Sequence, residues 1–235
     1  METEPKFNSI VNNVTLIKNE HESFVCKQFY PYAVKTKIRV PIERAIIEFK
    51  INNFIKEHLL EDYTLISVPK ILDYFPSIHV IKYELIEGVR PFDLPNINNV
   101  PQIVWQELYK FLKRLSSIKQ KQVNELFLNS MSMTTKIQKT LFAYNFPNKN
   151  LIFTNECLCL GDVNLSNMIW NGKKLYLFDF ETAHLGAYGF DIGQISAQLK
   201  IKFDKDFLLE KDEQVQYWHN LFLTYYKTKN KWKIS

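Results

Sequence analysis

Glycine is missing from the first 87 residues of this 235-residue chain; all six glycines stand at position 88 or beyond. A loop that brings backbone amides close to a phosphate normally uses glycine, because a Cβ obstructs the approach. A glycine-lined phosphate cradle is therefore excluded from that stretch, and any phosphate contact there has to come from side chains. Cysteine is scarce as well. Cys26, Cys157 and Cys159 are odd in number, and Cys157-x-Cys159 has the wrong spacing for a zinc knuckle or a redox pair, with no histidine close by. They read as reduced structural residues, Cys157 and Cys159 on one side of a strand, and such usage suits a reducing, cytoplasmic setting. Met1-Glu2-Thr3-Glu4-Pro5 has neither the basic start nor the apolar stretch of a secretory signal. No apolar run approaches the roughly 18 residues needed to span a bilayer.

What is present can build a core. Hydrophobic residues make up 46% of the chain and aromatic residues 14%, which argues against disorder. The length allows one large domain or two of ordinary size. The net charge of +5 suits an anionic ligand such as a nucleotide, but it is too mild to call for DNA or RNA. Lys227, Lys229, Lys231 and Lys233 read as a solvated terminus.

Patterning divides the chain at Gly88. Before it, Val11 to Ile17 and Phe24 to Phe29 read as strands joined by a polar turn. A helix starts near Pro41-Ile42-Glu43-Arg44 and carries Ile47, Ile51, Phe54, Ile55 and Leu59 at helical spacing. Val68 to Tyr74 and Ile78 to Ile86 read as two further strands. The order describes a small sheet with one helix packed on it. Val89 to Asn99, with its prolines, reads as a linker. Gln102 to Gln120, Glu125 to Tyr144 and residues 206 to 229 read as helices. Short strands are expected at Leu158 to Leu160, Asn167 to Trp170 and Lys174 to Phe178, the last two joined by an Asn171-Gly172 hairpin turn. The expected organisation is a β-rich unit over residues 1–87 and a helical unit over 88–235, with a ligand cleft between them.

Three side chains in the second part carry chemistry. Leu160-Gly161-Asp162-Val163-Asn164-Leu165-Ser166-Asn167 puts a carboxylate and a carboxamide on one short loop. Asp179 follows the apolar run Leu175-Tyr176-Leu177-Phe178, where a bare carboxylate is costly and a cation would explain it. Phosphoryl transfer uses such a set: a carboxylate to orient the attacking hydroxyl and hard oxygen ligands for magnesium. Lys27 lies on a strand that is otherwise apolar at Phe24 and Val25, and a buried lysine needs a partner. Glu48, mid-helix, is preferred for that role over Glu43.

Gly161-Asp162-x-x-x-x-Asn167, Asp179-Phe180-Glu181, Gly186 and Asp191-Ile192-Gly193, with Lys27 and Glu48 upstream, make the chain resemble the aminoglycoside phosphotransferase and choline kinase group. The resemblance runs from about residue 9 to about residue 200. It implies an α+β, bilobal protein-kinase-like fold, with a small antiparallel sheet and one helix in the first lobe and a mostly helical second lobe. It implies Asp162 as catalytic base and Asn167 and Asp179 as ligands of Mg2+. Lys27 would contact the phosphates of ATP or GTP, held by Glu48, while the backbone at Glu84 and Ile86 reads the purine edge. Ser9 and Asn12 fall where a glycine-rich phosphate loop would lie. Asp191 would brace the catalytic loop, and Glu181 stands where the family commonly has an acid near the metal. Tyr83, before the hinge, would wall the purine pocket in a way that disfavours adenine. The implied activity is transfer of the terminal phosphate to a hydroxyl of a small molecule, such as an amino alcohol, a sugar or an aminoglycoside-like compound. Two other classes stay open: a nucleotide-binding pseudokinase, and a small kinase acting on protein or on a tRNA-modifying assembly.

Overall fold

The computed structural model describes residues 2–7, 11–18, 22–123, 126, 157–207 and 212–228. Ser9, the helix expected from Glu125 to Tyr144 (Leu126 apart) and the basic end after residue 228 lie outside them.

The first part is an antiparallel sheet in the order β1-β2-β3-β6-β5, made of β1 Glu2–Phe7, β2 Asn13–Lys18, β3 Ser23–Gln28, β5 Ile71–Phe75 and β6 Val80–Glu84. Strand β1 is not announced by the sequence, because Glu-Thr-Glu-Pro lacks the apolar alternation of a core strand. Its place explains that: it is an edge strand, and its register against β2 shifts between Glu4 and Phe7, around Pro5. An edge or a bulge is where a strand tolerates proline. Helix α1, Arg44–His58, lies on the sheet and buries Ala45, Ile47, Ile51 and Ile55.

The strand expected from Val68 to Tyr74 starts later than expected, and a separate two-residue strand precedes it on another sheet. Strand β4, Ile66–Ser67, pairs in parallel with β9, Leu175–Leu177, whereas β5 starts beyond Pro69 and joins the first sheet. The expected linker is packed down. It forms two single-turn 3-10 helices, Pro91–Asp93 and Ile97–Asn99, and buries Leu94, Ile97 and Val100. Helix α2, Gln102–Leu115, ends five residues earlier than expected, at Ser116-Ser117, where the Ser117 hydroxyl donates to the Arg114 carbonyl at 2.6 Å. A further short helix, α3, spans Gln120–Val123.

Strand β7, Cys157–Cys159, pairs with β10, His184–Gly186, while β8, Met168–Trp170, and β9 form the expected hairpin. Asn171 Oδ1 caps that turn by accepting from the amides of Lys173 and Lys174, and Gly172 takes φ +88. Helix α4, Phe190–Phe203, carries no amphipathic signal because every residue from Phe190 to Leu199 is buried. Helix α5, Glu213–Thr228, packs against it through Trp218, Leu221, Phe222 and Tyr226, with Cys157 and Cys159 in the same apolar cluster. A second cluster runs from Ile47, Ile51 and Ile55 of α1 through α2 to Leu165, Phe180 and Ile192. It joins the sheet's helix to the part that carries the Asp162 loop.

Candidate active site

The Asp162 loop is held in shape from below by one face of α4. Asp191 accepts from the amide of Leu160 at 2.7 Å through one oxygen and from that of Gly161 at 3.0 Å through the other. Gln194 accepts from the amide of Val163 at 3.0 Å, and Gln198 from that of Leu165 at 2.9 Å. Gln198 in turn donates to the Tyr226 hydroxyl at 2.9 Å. Positions 191, 194 and 198 share a face of a helix, so three side chains satisfy four buried amides of the loop. Sequence reasoning found Asp191 and missed Gln194 and Gln198. Gly161 is required where it stands. It takes φ +85, and a Cβ there would lie 2.4 Å from the Thr182 carbonyl oxygen.

Within the loop, Asn164 acts as a local cap. Its Oδ1 accepts from the amides of Ser166 and Asn167 and from the Ser166 hydroxyl, and its Nδ2 donates to Asp162 Oδ1 at 2.8 Å. Asn167 Nδ2 donates to Asp162 Oδ2 at 3.1 Å and to the Asp162 carbonyl at 3.1 Å. Each Asp162 oxygen is thus oriented by one carboxamide. Desolvation, reinforced by the nearby Asp179 charge, raises the Asp162 pKa to about 6 against the pull of Asn164 and Asn167. The same desolvation raises Asp191 to about 6, opposed by its two amide donors.

Asp179 follows β9 in a left-handed backbone conformation, φ +70, that a non-glycine residue rarely takes. Its carboxylate meets Lys27 Nζ at 2.5 Å, and Lys27 meets Glu48 at 2.5 Å and Glu181 at 3.4 Å. The alternative partner Glu43 makes no ion pair with Lys27 among the described residues. Burial alone would lower the Lys27 pKa. The Asp179, Glu48 and Glu181 carboxylates outweigh it, so the pKa is raised and the ammonium stays charged. Glu48 shifts up, because its burial and the like charges of Asp179 and Glu181 exceed the pull of Lys27. The Tyr83 hydroxyl donates to the second Glu48 oxygen at 2.6 Å, which fixes the ring beside the end of β6.

One oxygen each from Glu48, Asp179 and Glu181 lie within 4.8 Å of one another, a spacing that fits a cation. Lys27 contacts all three and offsets one of their charges. Of the three carboxylates only Asp179 reaches solvent appreciably, at 32% side-chain exposure against 3% for Glu48 and 8% for Glu181. Asp179 is thus the carboxylate of the three most open to a ligand from solvent. Glu181 has further partners: Arg44 donates to one oxygen at 2.7 Å and Asn12 to the other at 2.5 Å. Sequence reasoning did not single out Arg44, whose position at a helix start reads as exposed. Asn12 turns toward Glu181 and Arg44. Glu84 closes β6, its amide donating to the Lys70 carbonyl at 3.0 Å, and Ile86 follows in the extended connection.

That connection is anchored. Val89 exchanges two backbone hydrogen bonds with Trp170, at 3.0 and 2.8 Å, so residues 85–89 run directly from the sheet to the β8–β9 hairpin. Among the described residues no helix is long and apolar enough to cross a membrane.

The comparisons agree with this geometry. The model of the phosphotransferase enzyme family matches residues 136–221, which include the Asp162 loop, Asp179 and Asp191. No curated protein matches the chain. Solved structures of similar fold include the ethanolamine kinase of Plasmodium vivax, at 16% identity and TM-score 0.54 over 95% of this chain and 67% of that one. The gentamicin complex of APH(2")-IIa aligns at 18% identity and TM-score 0.57, over 95% of this chain and 76% of that one. The Rio2 kinase of Chaetomium thermophilum aligns at 11% identity and TM-score 0.58, over 94% and 63%. At these identities the structures speak for the fold alone. By its motifs and its match over residues 136–221 the chain resembles the aminoglycoside phosphotransferase and choline kinase group, and its fold is the protein-kinase-like α+β fold.

Proposed function

We propose that the chain is a Mg2+-dependent phosphotransferase that moves the γ-phosphate of ATP or GTP to a hydroxyl of a small molecule. Amino alcohols, sugars and aminoglycoside-like compounds are the acceptor classes. In this reading residues 1–87 form the nucleotide lobe and 88–235 the catalytic lobe, with the Glu84 to Ile86 backbone on the purine edge. The observation that carries the reading is two adjoining pairs: Asn167 hydrogen-bonded to Asp162, and Lys27 ion-paired with Asp179, whose charge is near enough to raise the Asp162 pKa.

Asp162, with both oxygens oriented and a pKa of about 6, is ionised at neutral pH and takes the proton of the acceptor hydroxyl. Lys27 exchanges its contact with Asp179 for the phosphates, while Glu48, itself held by Tyr83, keeps the ammonium in place. Asn167 and Asp179 would hold the metal. When bound, it neutralises charge on the transferring phosphoryl group and orients it. Asp191, Gln194 and Gln198 keep the loop that carries Asp162 at a fixed height, which is the positioning that this chemistry depends on.

The test is a nucleotide-consumption screen of the purified protein against amino alcohols, sugars and aminoglycosides, with and without magnesium. Phosphorylated acceptor is expected only with magnesium, and Asp162→Ala is expected to bind nucleotide as the wild type does while losing transfer by about 10³-fold or more. Turnover retained in Asp162→Ala would remove the assigned base. Nucleotide binding with no transfer to any hydroxyl, small-molecule or protein, would favour the pseudokinase class instead.

A further inference from the structure

We propose that Arg44 and Asn12 are positioning residues for the donor nucleotide: they hold Glu181 and through it clasp Asn12, at the entry to β2, onto the Asp179 turn. The inference rests on the phosphotransferase reading above. Arg44 is 2% exposed, and its guanidinium makes four hydrogen bonds. Its Nε donates to the Pro41 carbonyl at 2.7 Å and Nη2 to the Tyr30 carbonyl at 3.1 Å. Its Nη1 donates to Glu181 Oε1 at 2.7 Å and to Asn12 Oδ1 at 3.2 Å. The remaining Glu181 oxygen accepts from Asn12 Nδ2 at 2.5 Å. Residues 12, 44 and 181 thus close a triangle in which each touches the other two, and all three are buried.

A buried ion pair with its remaining donors and acceptors satisfied serves best as a device that fixes a geometry. Here it fixes two. Asn12 belongs to the segment that would lie over the phosphates, and that segment contains no glycine with which to draw its amides inward. The Asn12 side chain anchors the chain at its entry to β2 instead, before any ligand arrives. Glu181 lies two residues after Asp179, so its anchorage also steadies the left-handed turn that aims the Asp179 carboxylate. Opening the clasp should loosen both contacts with the donor at once. It should leave the acceptor side, built on α4, in place.

The test measures affinity for a fluorescent ATP or GTP analogue, with and without magnesium, for full-length wild type, Arg44→Gln, Glu181→Gln and the double variant. Melting of the nucleotide-free proteins is followed alongside. Each single variant is expected to lose about tenfold or more in magnesium-dependent affinity, and the double no more than the worse single, as members of one network do. Wild-type affinity in either single variant overturns the proposal. So does a Glu181→Gln protein whose binding no longer responds to magnesium beside an unaffected Arg44→Gln, since Glu181 would then be a metal ligand. If the charged variants do not fold, Asn12→Ala removes only the neutral corner. It should weaken binding several-fold while melting changes little, and unchanged binding overturns the clasp. A wild type that binds no nucleotide with magnesium would sink the phosphotransferase reading itself, a result separable from all of these.

Discussion

At the scale of single residues, charge balance decides what the crevice can do. Lys27 faces three carboxylates, Glu48, Asp179 and Glu181, with Asp162 close enough to feel Asp179. Arg44 offsets one of them, so an excess of negative charge remains, which favours a divalent cation over a second lysine contact. The same excess, added to desolvation, raises Asp162 above the usual carboxylate range to about 6. A base must be ionised to accept a proton, so the proposed transfer should depend on pH with a defined sign. Activity should rise as pH passes through about 6 and level off above about 7, falling about tenfold per unit on the acid side. A pH series of kcat/KM measures this limb. A limb centred near 4 would mean that Asp162 is solvated like an exposed aspartate and that its crevice is wetter than described. Bound metal offsets the Asp179 contribution, so the limb for kcat at saturating metal should lie below the limb for the free enzyme.

At the scale of elements, the catalytic loop is an attachment to helix α4. Four loop amides end on Asp191, Gln194 and Gln198. Asp191→Ala would leave two buried donors unpaired, at a cost of about 2–5 kcal/mol, and Gln198→Ala about 1–3 kcal/mol. Both should lower kcat more than nucleotide affinity, because the donor contacts lie on the other side of the crevice. Unfolding curves and nucleotide binding measured on the same variants check the split; equal losses in both would show that α4 supports the whole crevice. Legibility follows the same physics. The partnered state of Asp162, Asn167 and Asp179 is legible because polar groups at fixed spacing beside apolar strands are costly to keep without partners. The Lys27–Glu48 contact was readable because a lysine on an apolar strand needs a partner. Helix α4 was not readable as a helix, since burial on all sides erases the periodicity by which helices are found. Gln194, Gln198 and Arg44 were missed for a related reason. Their partners are backbone groups or residues distant in sequence, and no local pattern carries that information. Strand β1 was missed because an edge strand has little apolar alternation to show.

At the scale of the molecule, the sheet and the helical part meet along α1, at the β4–β9 pairing, through the ion pairs to Asp179 and Glu181, and along one short connection. The connection has almost no slack. Gly88 lies so close to β8 that a Cβ would stand 2.4 Å from the Trp170 carbonyl oxygen and 2.7 Å from an Ile169 methyl. One of those atoms is backbone and part of the Val89–Trp170 pairing, so it has nowhere to move without breaking that pair. This is why the first glycine of the chain falls where the sheet hands over to the hairpin, and why it does so without a positive φ. Gly88→Ala should therefore cost about 1–3 kcal/mol through overpacking, a fall of about 2–10 °C in Tm for a chain of this size. The displacement has a direction. Pushing residue 88 off β8 moves Glu84 to Ile86, the proposed purine edge, while Asp162, Asn167 and α4 stay fixed to each other. The variant should then lose nucleotide affinity by several-fold beyond what its Tm implies, with the acid limb of its pH profile unchanged. Calorimetric melting beside nucleotide titration separates the two effects. A Tm loss with native affinity would mean that the purine edge is placed by the β3–β6 ladder alone, and that the connection serves only to join the halves.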